Sequence, residues 1–510
     1  MIEPAFLFTD HAVLQAEMPV PVWGKTDRAT LSVAFGGYTA DAEIRADGSF
    51  LATLPPLPAG MRGTLTFTGE GESLSFGDVV SGEVWLAGGQ SNMEHPTLMT
   101  EYTAHAVAED ADLRLFTVPR RTYPGADIFG WHFEPVESLD RPWQICTRKE
   151  ALHFSAIGYF FGRKLHRALG VPVGIISCNW GATLVENWTR RERLLADPLT
   201  RIYVDEQDAA EAAIDEAAWH AAYRAHLDGR RSLADIDMEE EVRENGAAYC
   251  LRHGGPEARG VPGEPGPGPL YYRRPGLLRE TMLARVTPYA LRGVIWHQGE
   301  SNGRRECADF SAKAWYRALF SAMAADWREA FGRPDLPFYM VQLAAFSLGG
   351  ENAADTWFGV REAQRELGEA GNGFYTVVSY DLGESDNIHP AKKQPMGERL
   401  AAAALAETYH KDERWRSPVP DGCEKTNGVL RVTFREARGL FATSDVFGFF
   451  FTLSDGRRVV AEAALDGNAV TAPVPEGAVA FGYGDCNYTP ANVYNEVGLP
   501  LFPFRLSLKS

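Results

Sequence analysis

The chain has 510 residues, too many for one hydrophobic core, and a prior of ~150 residues per domain points to two to four. Its 45% hydrophobic and 23% charged fractions are those of an ordinary globular protein. The net charge of −18 argues against nucleic acid or an anionic membrane surface as partner. No run reaches about 18 apolar residues, so no membrane span is expected. The opening residues, MIEPAFLFTDHAVLQ, hold no basic segment followed by an apolar one. No signal peptide is read there and a cytoplasmic location is expected, with secretion open if a leader was removed. Cys146, Cys178, Cys250, Cys307, Cys423 and Cys486 are scattered without a CxxC pair, which fits a reducing compartment and offers neither a disulfide framework nor a zinc site.

Residues 1–80 read as all-β. Short alternating or apolar runs (Val20–Trp23, Leu31–Phe35, Phe50–Leu54, Leu65–Phe67) are separated by turn signals such as Gly36-Gly37 and Asp47-Gly48, which suggests a small sandwich. From about residue 82 strands alternate with amphipathic helices, as in a doubly wound, mainly parallel α/β sheet. The first strand, Val84–Ala87, breaks at Gly88-Gly89 and is followed by Gln90, Ser91 and Asn92. Two glycines permit a tight turn with positive φ and a close approach to the backbone. Ser91 then stands at the carboxyl edge of a strand, where open α/β sheets keep their sites, although Ser91 or Asn92 would serve equally as a helix cap.

Leu113–Val118 is the next candidate strand, and 120–150 reads as an ordered insertion rich in Pro, Trp and Arg. Ser155–Leu169 is predicted as a helix, capped by Ser155 and ended by Gly170, with Ile157, Phe161, Leu165 and Leu169 on one face. The strand Val173–Cys178 ends in Asn179-Trp180-Gly181-Ala182-Thr183. Residues 190–250 are polar and helical in pattern, and 254–269 form a Pro/Gly loop suited to a surface loop or lid. The segment 195–275 as a whole reads as an insertion.

Gly293–Trp296 is a buried strand running into His297-Gln298-Gly299-Glu300-Ser301-Asn302. A helix of about five turns is expected after it, capped by Asp309, with Leu319, Met323 and Trp327 one turn apart and Gly332 as its stop. Phe338–Leu343 and Phe374–Ser379 complete the strands. Asp386 and His389 follow, and Pro390 suits the first turn of a helix reaching about Thr408. Residues 418–510 return to β patterning. The expected organisation is a β domain at 1–80, an α/β domain at 81–410 and a second β domain at 411–510.

Three strand-end segments therefore carry the groups that a serine acyl-transfer site needs. Ser91 is the candidate nucleophile, with His389 its base and Asp386, three residues away, the group that orients the base. Ser91 N–H, Gly181 N–H and the Asn302 side chain are candidate oxyanion donors. Gln90, Asn92, Gln298 and Glu300 are candidates for substrate contact or support, and His297 reads as a satisfied core histidine or as one that supports the site residues. Glu300 is also the rival to Asp386 for orienting the base. The GxSxG elbow is absent because Met93 occupies the position of its second glycine. No lysine follows the glycines as in a phosphate loop, and no HExxH is present.

GGQSNM, SCNWGAT, WHQGESN and SDNIHP, in this order, resemble the SGNH hydrolase superfamily. They resemble most closely the sialate O-acetylesterase family and the acetylxylan esterases of carbohydrate esterase family six. FTDHAVLQAEMPVPVWG and NVYNEVGLPLFPFR look like the opening and closing segments of sialate O-acetylesterases. The resemblance implies a flavodoxin-like esterase domain with accessory β regions, needing neither metal nor cofactor, that removes O-acetyl groups from sialic acid through an acetyl-enzyme. It implies the same roles for Ser91, His389, Asp386, Gly181 and Asn302. The HQGE form is shared with acetylxylan esterases, so another acetylated sugar or glycan is the alternative substrate. A carbohydrate-binding protein without catalysis is the alternative of another class. Nothing in the sequence fixes an oligomeric state.

Overall fold

A computed structural model describes the chain apart from residues 102–106, 123–126, 129–130, 133–141, 230–239, 241–242, 244–264, 305–310, 348–355 and 509–510. By compactness it divides into two units, Met1–Trp296 with Ala318–Phe338, and His297–Arg317 with Tyr339–Ser510.

In the first unit the alternating runs of residues 1–80 become two facing sheets. One orders Ile2–Pro4, Val20–Thr26, Ser49–Leu54 and Glu43–Ile44; the other joins Tyr38–Asp41, Leu31–Phe35 and Arg62–Gly69 to the long strand Glu72–Gly89. Period-two burial drives this: Val20 and Val22, Leu31, Val33 and Phe35, and Phe50, Ala52 and Leu54 are all buried. Phe50 from one sheet meets Phe67 from the other edge-on, with ring centroids 6.3 Å apart.

The strand Glu72–Gly89 has two environments. Its first half pairs antiparallel with Arg62–Gly69; its second half pairs parallel with Val173–Asn179, in the register Glu83↔Val173 to Gly89↔Asn179. The change of character read at 80/81 thus falls inside one continuous strand. Burial along it switches from alternating to complete near Val79 because the second half is covered on both faces. Asp110–Thr117 continues the parallel pairing on the far side of Val173–Asn179, and Gln144–Cys146 closes that edge antiparallel. Gly293–His297 lies on the other side of the long strand.

The helix Ala156–Leu169 begins and ends as its sequence implies. Ser155 Oγ accepts from Gly158 N–H at 3.1 Å, and Gly170 takes the left-handed C-cap at φ 68°. A Cβ at Gly162 would lie 2.7 Å from Leu113 and 2.9 Å from Ile175, so glycine lets the helix settle directly on the sheet. Arg191–Leu195, Pro198–Ala212 and Glu216–Gly229 are helical as expected. Most of the 254–269 loop lies outside the described residues.

The helix Ala312–Ala330 carries buried Leu319, Met323 and Trp327 and is followed by Gly332 at φ 63°. Asp309 lies outside the described residues. The capping bond found is from Ala314 N–H to Ser311 Oγ, 3.2 Å, so the cap comes two residues later than expected.

In the second unit the helices Thr356–Glu369 and Gln394–Glu407 both pack on the strand Phe374–Val377, which neighbours Phe338–Val341. The second helix starts at Gln394, not at Pro390: Pro395 holds the first-turn position, and Pro390 belongs to the preceding loop. Both prolines satisfied the same rule, since each lacks an N–H where none is needed. Residues 419–507 form two four-stranded sheets and the two-stranded pair Leu440–Ala442 with Val493–Asn495, with Phe434, Phe449, Phe481 and Phe504 in one core. Among the described residues no helix is long and apolar enough to cross a membrane.

Candidate active site

In the first unit the strand Glu72–Gly89 ends at Gly89, whose φ of 138° only glycine adopts readily. A Cβ on Gly88 would sit 3.0 Å from the Trp296 ring and 3.2 Å from that of Trp327, which is the close approach the glycine pair permits. The chain then turns into the short helix Ser91–Glu94. Its N-cap is Gln90, in extended conformation at φ −118° and without a side-chain capping bond. Ser91 is therefore the first helical residue and Asn92 the second, and neither is the N-cap. Gln90 and Asn92 are buried, while Ser91 is partly exposed.

The parallel neighbour Val173–Asn179 ends beside it. Trp180 N–H donates to Gly89 O at 3.2 Å, and Thr183 Oγ donates back to Trp180 O at 2.7 Å, closing the turn. Ala182 takes φ 59° within that turn. A Cβ on Gly181 would lie 3.4 Å from Ser91 Cβ and 3.2 Å from Glu94 Oε2. Ser91 and Gly181 are thus in direct proximity. The Gly181 N–H, expected to serve an oxyanion, donates to Glu94 Oε2 at 2.6 Å. Glu94 is also ion-paired with Arg120, whose guanidinium lies 5.4 Å over the Trp180 ring. Trp180 in turn stacks on Tyr272, centroids 5.3 Å apart. Sequence reasoning missed Glu94, Arg120 and Tyr272. The available signal was Glu94 at Ser91+3, one helical turn on and hence on the same face.

The second unit holds the other candidates. Gln298 Nε2 donates to Asn302 Oδ1 at 2.7 Å, which turns the Asn302 NH2 group to the opposite side. Gln298 is held in turn by Tyr316 Oη and Gln364 Nε2, both bonding its backbone carbonyl, at 3.0 and 3.1 Å. His297 and Glu300 are buried, with Nε2 and Oε1 3.4 Å apart. Neither His297 ring nitrogen reaches hydrogen-bond geometry among the described residues, so of the two readings the satisfied core histidine is not met. Burial, with Lys393 and His389 nearby, holds its pKa well below the ordinary value, and the ring is neutral.

His389 is partly buried and Asp386 exposed, on the loop between the turn Tyr380–Leu382 and the helix Gln394–Glu407. Asn387 gives this loop its shape. Its Oδ1 accepts from His389 N–H at 3.0 Å, and its Nδ2 donates to His389 O at 2.9 Å and to Glu384 at 3.1 Å. Glu384 also accepts from Ala391 N–H at 2.8 Å. Lys393, fully buried, has its pKa pushed down to about 7 by desolvation, against the opposing pull of Glu300 and Glu384. Lys393 too was missed, because nothing local distinguishes it from the neighbouring Lys392. Among the described residues no group of three His, Cys, Asp or Glu side chains is arranged to hold a metal ion.

Known proteins resemble this chain over most of its length. The family described as "Carbohydrate esterase, sialic acid-specific acetylesterase" matches residues 268–406. The sialate O-acetylesterase of Mus musculus is 28% identical over 472 residues, covering 83% of this chain and 77% of the relative. That of Rattus norvegicus is 28% identical over 387 residues, covering 70% of this chain and 62% of its own length. The crystal structure of a carbohydrate acetylesterase from Xanthomonas citri is 30% identical, with a TM-score of 0.75, covering 99% of this chain and 100% of that one. A mixed α/β chain with many strands and this likeness is a carbohydrate esterase, a hydrolase. It belongs to the sialate O-acetylesterase family.

Proposed function

We propose that the chain is a serine esterase that removes O-acetyl groups from sialic acid through an acetyl-enzyme, on a doubly wound SGNH-type domain at 81–410 flanked by β domains at 1–80 and 411–510. The observation that carries this reading is Gly181 packed against Ser91 at the ends of two adjacent parallel strands. Ser91 Oγ attacks the acetyl carbonyl while His389 takes its proton, oriented by Asp386. The negative charge on the carbonyl oxygen is met by Ser91 N–H, Gly181 N–H and the Asn302 amide. The sugar hydroxyl leaves with the proton from His389. Water, deprotonated by the same histidine, then releases acetate. His297, neutral and buried, and Glu300 support the loop that carries Asn302.

Ser91→Ala tests the reading. Loss of the attacking hydroxyl costs on the order of 10⁶ in kcat for such enzymes. Acetate release is to be followed on acetylated sialic acid, acetylated xylan and a nitrophenyl acetate. Near-complete loss on every one of these that the wild type turns over, with an unchanged melting temperature, is the expected result. Undiminished turnover in the variant overturns it.

A further inference from the structure

Sialic acids differ from neutral sugars in bearing a carboxylate. In a chain of net charge −18 an anionic sugar is repelled unless a cation is placed to receive it. Arg120 is such a cation beside the candidate nucleophile. Its side chain is only 14% exposed, and it is held from two sides, by the ion pair with Glu94 and by the face of Trp180. Glu94 extends from it to the Gly181 N–H, and Gly181 packs on Ser91. A carboxylate from the protein itself thus lies between a guanidinium and a backbone donor, one glycine away from the nucleophile.

We propose that Arg120 is the specificity residue, binding the carboxylate of an acetylated sugar acid in place of Glu94. The guanidinium fork matches a planar carboxylate in two parallel hydrogen bonds. The stacked Trp180 and Tyr272 rings supply an apolar surface for the face of the sugar. When Glu94 gives up Arg120 it also gives up the Gly181 N–H, which then serves the reacting carbonyl oxygen. A neutral sugar brings no group able to make this exchange. The inference rests on Ser91 being the nucleophile, and it narrows the substrate to sugars with a carboxylate.

The test is a binding measurement, so that it does not depend on turnover. Calorimetry compares N-acetylneuraminic acid, free of O-acetyl groups, with its neutral carboxamide on the wild-type protein, on Arg120→Gln and on Arg120→Lys. A charge-assisted pair of this kind predicts at least about tenfold tighter binding of the acid by the wild type. Arg120→Gln brings the two ligands to within about threefold of each other, and Arg120→Lys keeps part of the preference. Equal affinities in the wild type, binding of neither ligand, or a preference that survives Arg120→Gln overturns the proposal. Failure of the serine-esterase reading is separately visible as acetate release by Ser91→Ala from nitrophenyl acetate.

Discussion

Around Ser91 the charges keep partial access to water, whereas those of His297, Glu300 and Lys393 lie inside. Glu94 and Arg120 have 31% and 14% of their side chains exposed, whereas His297 and Glu300 stand at 1% and 3% and Lys393 is fully buried. An ion pair with partial access to water can change partners at less cost than a buried one, because water solvates each charge while it is unpaired. A charge buried with its partners cannot leave them without a desolvation penalty of several kcal/mol. The first region is therefore suited to exchanging its own carboxylate for a ligand's, and the second to holding a loop in one shape.

The sharpest way to probe the second region is to remove its two rival carboxylates in turn. Asp386 is exposed on the histidine's own loop, while Glu300 is buried against His297. An orienting acid is worth roughly 10⁴ in kcat and a supporting residue about 10–100. Asp386→Asn is expected to show the larger loss and Glu300→Gln the smaller, measured side by side on variants with melts like the wild type. The reverse order would transfer the orienting role to Glu300.

Lys393 tests whether the buried region is truly fixed. With a pKa of about 7 in the fold against an ordinary value of 10.5, the folded protein holds fewer protons than the unfolded chain between those limits. The stability from this residue is complete above pH 10.5 and is lost as pH falls to about 7. Melting temperatures of the wild type should therefore rise from pH 7 to pH 9 more steeply than those of Lys393→Met. Parallel profiles would mean that the ammonium is solvated. The smallest effect is expected from Glu94→Gln, which breaks a pair near the surface and should shift unfolding free energy by less than about 1 kcal/mol. A loss of several kcal/mol would make Glu94 a structural anchor and end the contrast between the two regions.

What the sequence made legible follows from how local each signal is. The helix Ala156–Leu169 was readable because Ser155, Gly170 and the apolar face all lie within sixteen consecutive residues. The turns carrying Ser91 and Gly181 were readable because glycines mark strand ends. The strand Glu72–Gly89 was not readable as one element, because its halves bury different faces and so show different periods. Arg120 could not be found at all: only the parallel pairing of Asp110–Thr117 with Val173–Asn179 brings the chain following the first strand alongside Trp180. Lys393 was hidden for the same reason, since its low pKa comes from burial, which only the folded chain creates, and not from any neighbour in sequence.

The most direct measurement of the central claim is covalent labelling of the native protein with a serine-reactive acyl phosphonate, read by intact mass and peptide mapping. A single adduct at Ser91, appearing in step with the loss of acetate release and blocked by excess acetylated substrate, is the predicted result. Complete inactivation with the adduct on another residue, or full activity with Ser91 modified, would contradict it.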